Sequence, residues 1–113
     1  MKKFLALYMA PVSTLEEWAK TDPGTRKATE EKMKAEWQAW MGAHAAQVTE
    51  TAGLGSTMRT TKEGTLGTKN GIMLYSMVEA DSIEDATKYF EHHPHLEIPG
   101  ASIEIMPVNP LAG

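Results

Sequence analysis

Apolar residues fill both parities of Phe4-Leu5-Ala6-Leu7-Tyr8-Met9-Ala10, the pattern of a central strand covered on its two faces. Ile72-Met73-Leu74-Tyr75-Ser76-Met77-Val78 repeats it. Pro11 ends the first run, and Ser13-Thr14-Leu15-Glu16 has capping-box spacing, which predicts a short helix to about Lys20. Asp22 then caps a second helix with Pro23 at its first position, where the missing N–H costs nothing. From about Thr25 to Val48, Met33, Trp37, Trp40, Met41, Ala45 and Val48 recur at three- and four-residue steps, with Lys27, Glu31, Lys34 and Gln38 largely opposite. This amphipathic helix is expected to lie flat on a sheet.

Thr51 to Ser56 is too glycine-rich for a strand interior, so the next strand is placed at Ser56 to Lys62, where threonines favour the pleat. Glu63 to Gly71 reads as a polar, glycine-rich connection able to act as a flap. Asp81-Ser82-Ile83-Glu84 opens another helix, with Ile83, Ala86, Thr87 and Phe90 as its buried face. His92-His93-Pro94-His95-Leu96-Glu97-Ile98-Pro99-Gly100 is a proline- and glycine-braced loop leading to the final strand, Ala101 to Val108. The order strand, helices, strand, strand, helix, strand predicts an α+β domain spanning residues 1–113. Its plan is the ferredoxin-like split βαβ, a four-stranded antiparallel sheet with helices on one side. The first and third strands are apolar on both parities and helices cover only one face, so the other is expected to meet a second subunit in a homodimer.

The 113 residues suffice for one core, and no apolar run approaches a bilayer span. Met1-Lys2-Lys3 gives a positive start, but the apolar run is short and meets Pro11, so it reads as a first strand and not a signal peptide. A net charge of −4 with interleaved basic residues offers no footprint for nucleic acid or an anionic membrane. With no cysteine the fold relies on no disulfide, which suits a reducing interior, and a soluble cytoplasmic protein is expected. Gly53-Leu54-Gly55 lacks the lysine and preceding apolar strand of a phosphate loop, and no cofactor is expected.

Candidate chemistry gathers on histidines. His44 sits on the stripe of the long helix, four residues after Trp40; it is either a core-edge histidine with one nitrogen satisfied or an acid/base at a pocket rim. His92 and His93 follow a helix C-terminus, where they cap carbonyls and favour its dipole. Alternatively His93 or His95 donates to a polar small molecule, with Tyr8, Tyr75, Trp37 and Trp40 as aromatic walls. Adjacent histidines point in different directions and no Asp or Cys stands at a diagnostic spacing, so no metal site is expected. Along the last strand, Glu104 faces away from Ile103 and Ile105.

His93-Pro94, the spacer ending Pro99-Gly100, and Ser102-Ile103-Glu104-Ile105-Met106-Pro107-Val108 resemble the terminal signature of the YCII-related (YciI-like, DGPF-type) proteins. That ending is an acid, cysteine or histidine before proline, a small-residue turn, and a Val-Glu-Val-Arg-Pro-like strand. The similarity extends through the opening strand, the long helix, Ala52-Gly53-Leu54 and the strand at Ile72 to Glu79. The resemblance implies a dimeric α/β barrel of ferredoxin-like subunits, in a group some of whose members carry a histidine and an aspartate proposed as an acid–base pair. Here Glu36 stands where some relatives have a histidine, His44 where a second can occur, Met106 replaces the usual arginine, and Asn70-Gly71 occupies the Asp-Gly-Pro-Phe region. An acid–base pair would therefore draw on His44, His93 or His95 with Glu36 or Glu104. Two functions follow as expectations. One is a cofactor-independent enzyme using a histidine acid/base on a small aromatic or carbonyl compound; the other is a non-catalytic small-molecule-binding or accessory homodimer.

Overall fold

A computed structural model describes residues 1–111. The first strand, β1 (Lys2–Met9), is followed by α1 (Val12–Ala19) and the long α2 (Pro23–Ala43). Next come β2 (Val48–Gly53), β3 (Thr57–Thr61), β4 (Gly64–Thr68), β5 (Ile72–Ala80), α3 (Ile83–Tyr89), a single 3-10 turn (Pro94–Glu97) and β6 (Ser102–Pro107). Four strands form one antiparallel sheet in the order β2-β5-β1-β6, while β3 and β4 pair only with each other. A four-stranded antiparallel sheet with three helices, its first and third sheet strands central, is the ferredoxin-like arrangement.

Register fixes the two faces. Phe4, Ala6 and Tyr8 of β1 lie beside Val78, Ser76 and Leu74 of β5, and they form the core with Trp40, Ala80, Ala86 and Phe90. Trp37, Met41, Val48, Ile103 and Ile105 pack onto that core, so the Trp37, Trp40 and Met41 part of the helical stripe seats as its spacing predicts, whereas Ala45 is exposed beyond the helix end and Val48 packs from β2. On the opposite face Leu5, Leu7 and Met9 alternate outward beside Met77 and Tyr75 of β5 and Met106, Glu104 and Ser102 of β6. Among the described residues no helix packs there, and these apolar side chains remain half-buried or exposed.

Several elements differ from the sequence expectation. The second sheet strand is Val48–Gly53 and not Ser56 to Lys62; Ala43 ends α2, and Val48 becomes the first residue of a strand. Glycine lowers β propensity, but pairing with a mostly apolar central strand overrides it, because Leu54 N–H still finds Met73 O at 2.9 Å. Ser56 to Thr68 instead forms a separate hairpin. Its turn ends at Gly64, whose φ of 130° is open to glycine, and Thr60 and Thr65 hydroxyls bond across it at 2.8 Å. The expected flap is therefore a regular strand. Ser13 does not cap α1: Pro11 occupies the N-cap, and Thr14 Oγ1 donates instead to Pro99 O at 3.2 Å. Asp22 caps α2 as expected, its carboxylate accepting from Thr25 N–H at 3.1 Å. Ser82 caps α3 by accepting from Asp85 N–H, and Thr87 is exposed. At Gly71, whose carbonyl accepts from Ala10 N–H at 2.9 Å just past the β1–β5 bulge, a Cβ would collide with Ala10 O, so only glycine fits.

Candidate functional site

The histidine loop folds against the helix side of β1. Phe90 caps the end of α3, and His92 turns the chain with φ 63°, a left-handed conformation costly for a non-glycine residue. His93 then caps the 3-10 turn: its Nδ1 accepts from His95 N–H at 2.9 Å. That bond assigns the neutral ring its proton on Nε2. Pro94 follows at the first position of the turn.

His93 is 1% exposed and sits in an aromatic box. Trp40 stands edge-on at a ring-centroid distance of 4.4 Å and Trp37 at 4.5 Å, with Tyr8 at 5.2 Å and Phe90 at 6.1 Å. Its Nε2 has no hydrogen-bond partner. Burial drives the His93 pKa down to about 3, with His95 and His44 adding to the effect, so the ring is neutral throughout the physiological range. His95 is equally enclosed, and its Nε2–H donates to Met9 O at 2.9 Å. Burial lowers its pKa too, although backbone carbonyls of Met9 and Ser102 pull the other way.

Tyr8 joins this box to a chain of hydroxyls. Its oxygen lies 2.7 Å from Ser76 Oγ, which in turn lies 2.7 Å from Thr51 Oγ1. Burial pushes the Tyr8 phenol up to about 12, against a lowering by Ser76. Ser76, Thr51 and Phe90 were not expected site residues. The signal for Ser76 was a lone hydroxyl within an apolar strand, since a buried polar group needs a partner.

His44 follows the last residue of α2 and stacks on the outer side of Trp40 at 4.5 Å. Its Nδ1–H donates to Trp40 O at 2.9 Å, which leaves Nε2 as the nitrogen not engaged in that bond on a half-exposed ring. Trp40 itself is anchored by donating Nε1–H to Tyr89 O at 2.8 Å. His44, His93, Trp37, Trp40 and Tyr8 thus gather on one side of the sheet, with His95 at the edge of Tyr8.

Two expected site residues do not join them. Glu104 pairs with Leu7 and Tyr75 with Leu7 on its other flank, all on the open face, because alternation along a strand sends them away from Tyr8. Glu50, which pairs with Met77 next to Tyr75, raises the Tyr75 pKa and lies on that face with it. Within one chain, then, no Glu104 carboxylate approaches His44 or His93. Glu36 lies on α2 beside Lys32, at 3.9 Å, and is half-exposed. Among the described residues no three His, Cys, Asp or Glu side chains cluster as metal ligands, and no helix is long and apolar enough to cross a membrane. Two surface grooves occur elsewhere, one at Lys2, Ser82 and Pro107 and one between α1 and the base of the hairpin, and neither reaches the histidines.

Comparison with known proteins places this architecture. It is similar in fold to 5-chloro-2-hydroxyhydroquinone dehydrochlorinase (TftG) from Burkholderia phenoliruptrix AC1100, solved in complex with 2,5-dihydroxybenzoquinone. The fold is shared across nearly the whole of both chains. The TM-score is 0.54 at 15% identity, covering 95% of this chain and 93% of that one. No protein-family model matches the sequence, and no curated protein does.

Proposed function

We propose that this chain is a YCII-related homodimer that binds a small aromatic or carbonyl compound without a cofactor, and that the compound's acceptor oxygen pairs with His93 Nε2–H. The observation that carries the reading is that N–H itself: a buried donor with no partner, walled by Tyr8, Trp37 and Trp40. Leaving such a group unpaired costs about 1–3 kcal/mol, a deficit that a ligand oxygen removes. The aromatic walls suit a planar ring, and the fold neighbour was solved with a dihydroxybenzoquinone, a ring bearing such oxygens. His44, half-exposed and bonded to the backbone through Nδ1 alone, is the acid/base of an enzymatic version of this site. The open sheet face, with Leu5, Leu7, Tyr75 and Met77, is the dimer surface.

Entry to the box requires the loop from His92 to Gly100 to move, and the strained His92 is its natural hinge. Titration calorimetry with 2,5-dihydroxybenzoquinone and simple phenols tests the reading. Binding by the native chain, weakened at least about tenfold in His93→Phe with folding intact, is expected from the loss of one buried hydrogen bond. Equal affinity in both proteins would sink it. A second reading is favoured by the edge-on tryptophans: the N–H points into a ring face and His93 is only a structural element of the core. In that case no acceptor-bearing ring binds, and His93→Phe is simply less stable.

A further inference from the structure

The β3–β4 hairpin stands apart from everything else in the chain. Its two strands pair only with each other, so both outer edges are unpaired. Met58 is 65% and Leu66 74% exposed, and the register Met58↔Gly67 and Arg59↔Leu66 puts them on opposite faces. The Cα radius of gyration is 16.0 Å, where a compact domain of this length is expected near about 13 Å. Extents of 46 × 44 × 19 Å describe a flat body with a projecting element. An isolated two-stranded hairpin is marginal in water, and open apolar edges invite association. Only its root is tied down, by Asn70 Nδ2–H donating to Thr57 Oγ1 at 3.1 Å and by Lys69 to Glu16 at 3.6 Å.

Charge indicates what it meets. Within the hairpin, Arg59 and Lys62 stand against a single acid, Glu63, whereas the chain as a whole carries −4; Lys69 at its root is already paired with Glu16. A basic arm on an acidic body is complementary to another copy of that body. We propose that the hairpin is an arm that reaches from one protomer onto a second copy of this chain, burying Met58 or Leu66 there. The proposal rests on the homodimer reading given above, and adds to the sheet-face contact a second, separable one.

The chain has no cysteine, so Leu66→Cys carries a single benzophenone photocrosslinker. Glu30→Cys, on the exposed side of α2, is its control. Irradiation at micromolar concentration is expected to give a covalent product of twice 12.4 kDa from the Leu66 site and none from the control. Sedimentation equilibrium of a Met58→Ser, Leu66→Ser double variant is expected to show self-association weakened at least about tenfold, since burying even one such side chain is worth that much. Both residues are exposed, so neither change threatens the fold of the protomer. If the native protein is a dimer but Leu66 links only to its own α1, across the groove lined by Val12, Leu15 and Ala19, the arm closes on its own chain and the proposal is overturned. It is equally overturned if the double variant associates as tightly as the native chain. A native protein that sediments as a monomer overturns the homodimer reading itself, and the arm with it.

Discussion

Lowering the pH should expose how much stability the enclosure of His93 costs. The ring is neutral and 1% exposed in the folded chain, with a pKa pushed down to about 3. In the unfolded chain it titrates near the ordinary histidine value of about 6.5. A depressed folded pKa on a base means that the unfolded state binds the extra proton throughout the interval between those values. Stability is therefore whole above about pH 6.5, falls as pH drops through the window, and levels off below about pH 3. The slope is about 1.4 kcal/mol per pH unit, which amounts to about 2 kcal/mol lost at pH 5. For a domain of this size that lowers the melting temperature by roughly 6 to 12 °C. His95 adds a loss of the same sign, and carboxylates titrate in the lower part of the range, so the native curve alone does not isolate His93. The difference between native protein and His93→Phe does, because the variant keeps an aromatic ring and lacks the proton site. Melting by circular dichroism at one protein concentration, from pH 4.5 to 7.5, is the assay. Holding concentration fixed keeps any dimer equilibrium from entering the comparison. The variant should lose less stability than the native chain as pH falls, with the two curves converging by about 2 kcal/mol between pH 7.5 and 5. Parallel curves would show that His93 meets water or a partner at neutral pH, and would refute the closed box.

Two further outcomes follow from the same site. Ser76→Ala removes the oxygen shared by Tyr8 and Thr51 and should cost about 1–3 kcal/mol in urea unfolding, with a change under about 0.5 kcal/mol counting against the hydroxyl chain. His44→Ala loses one half-exposed bond to Trp40 O and should change stability by about 1 kcal/mol at most, while abolishing turnover of any compound that the His93 site converts; an active variant would remove His44 as the acid/base.

The sheet's two central strands and the long helix were legible because each carries one period without interruption. Phe4 to Met9 is apolar throughout, Ile72 to Val78 is broken only by Ser76, and Met33 to Met41 holds its helical step. The edge strand β2 was not. Its six residues include two threonines, a glutamate and a glycine, and only pairing with β5 makes them a strand. The hairpin was half legible, its threonines favouring extension while Gly64 and Gly67 read as a loop. His93 and His95 were legible as a cluster but not as a buried one. The enclosure of His93 depends on Trp37 and Trp40, more than fifty residues earlier, and that of His95 on Tyr8 and Met9, and no local pattern carries those contacts.

The sheet's two faces constrain which chemistry the chain can perform. Alternation along β1, β5 and β6 sends Tyr8 and Ser76 toward the helices and Tyr75 and Glu104 toward the open face. One strand's thickness separates the groups, and a one-residue slip that reunited them would drive Phe4, Ala6 and Val78 out of the core. A histidine–carboxylate pair made from His44 or His93 with Glu104 is thus incompatible with this register inside one protomer. The groups this register leaves on the helix side are the His93 Nε2–H, the His44 ring and the Tyr8–Ser76–Thr51 hydroxyls, with Glu36 on α2 keeping one buried carboxylate oxygen without a hydrogen-bond partner. The hydroxyls and the neutral His93 ring can donate to and accept from an oxygen without holding an ion, and that is the property the proposed site would use.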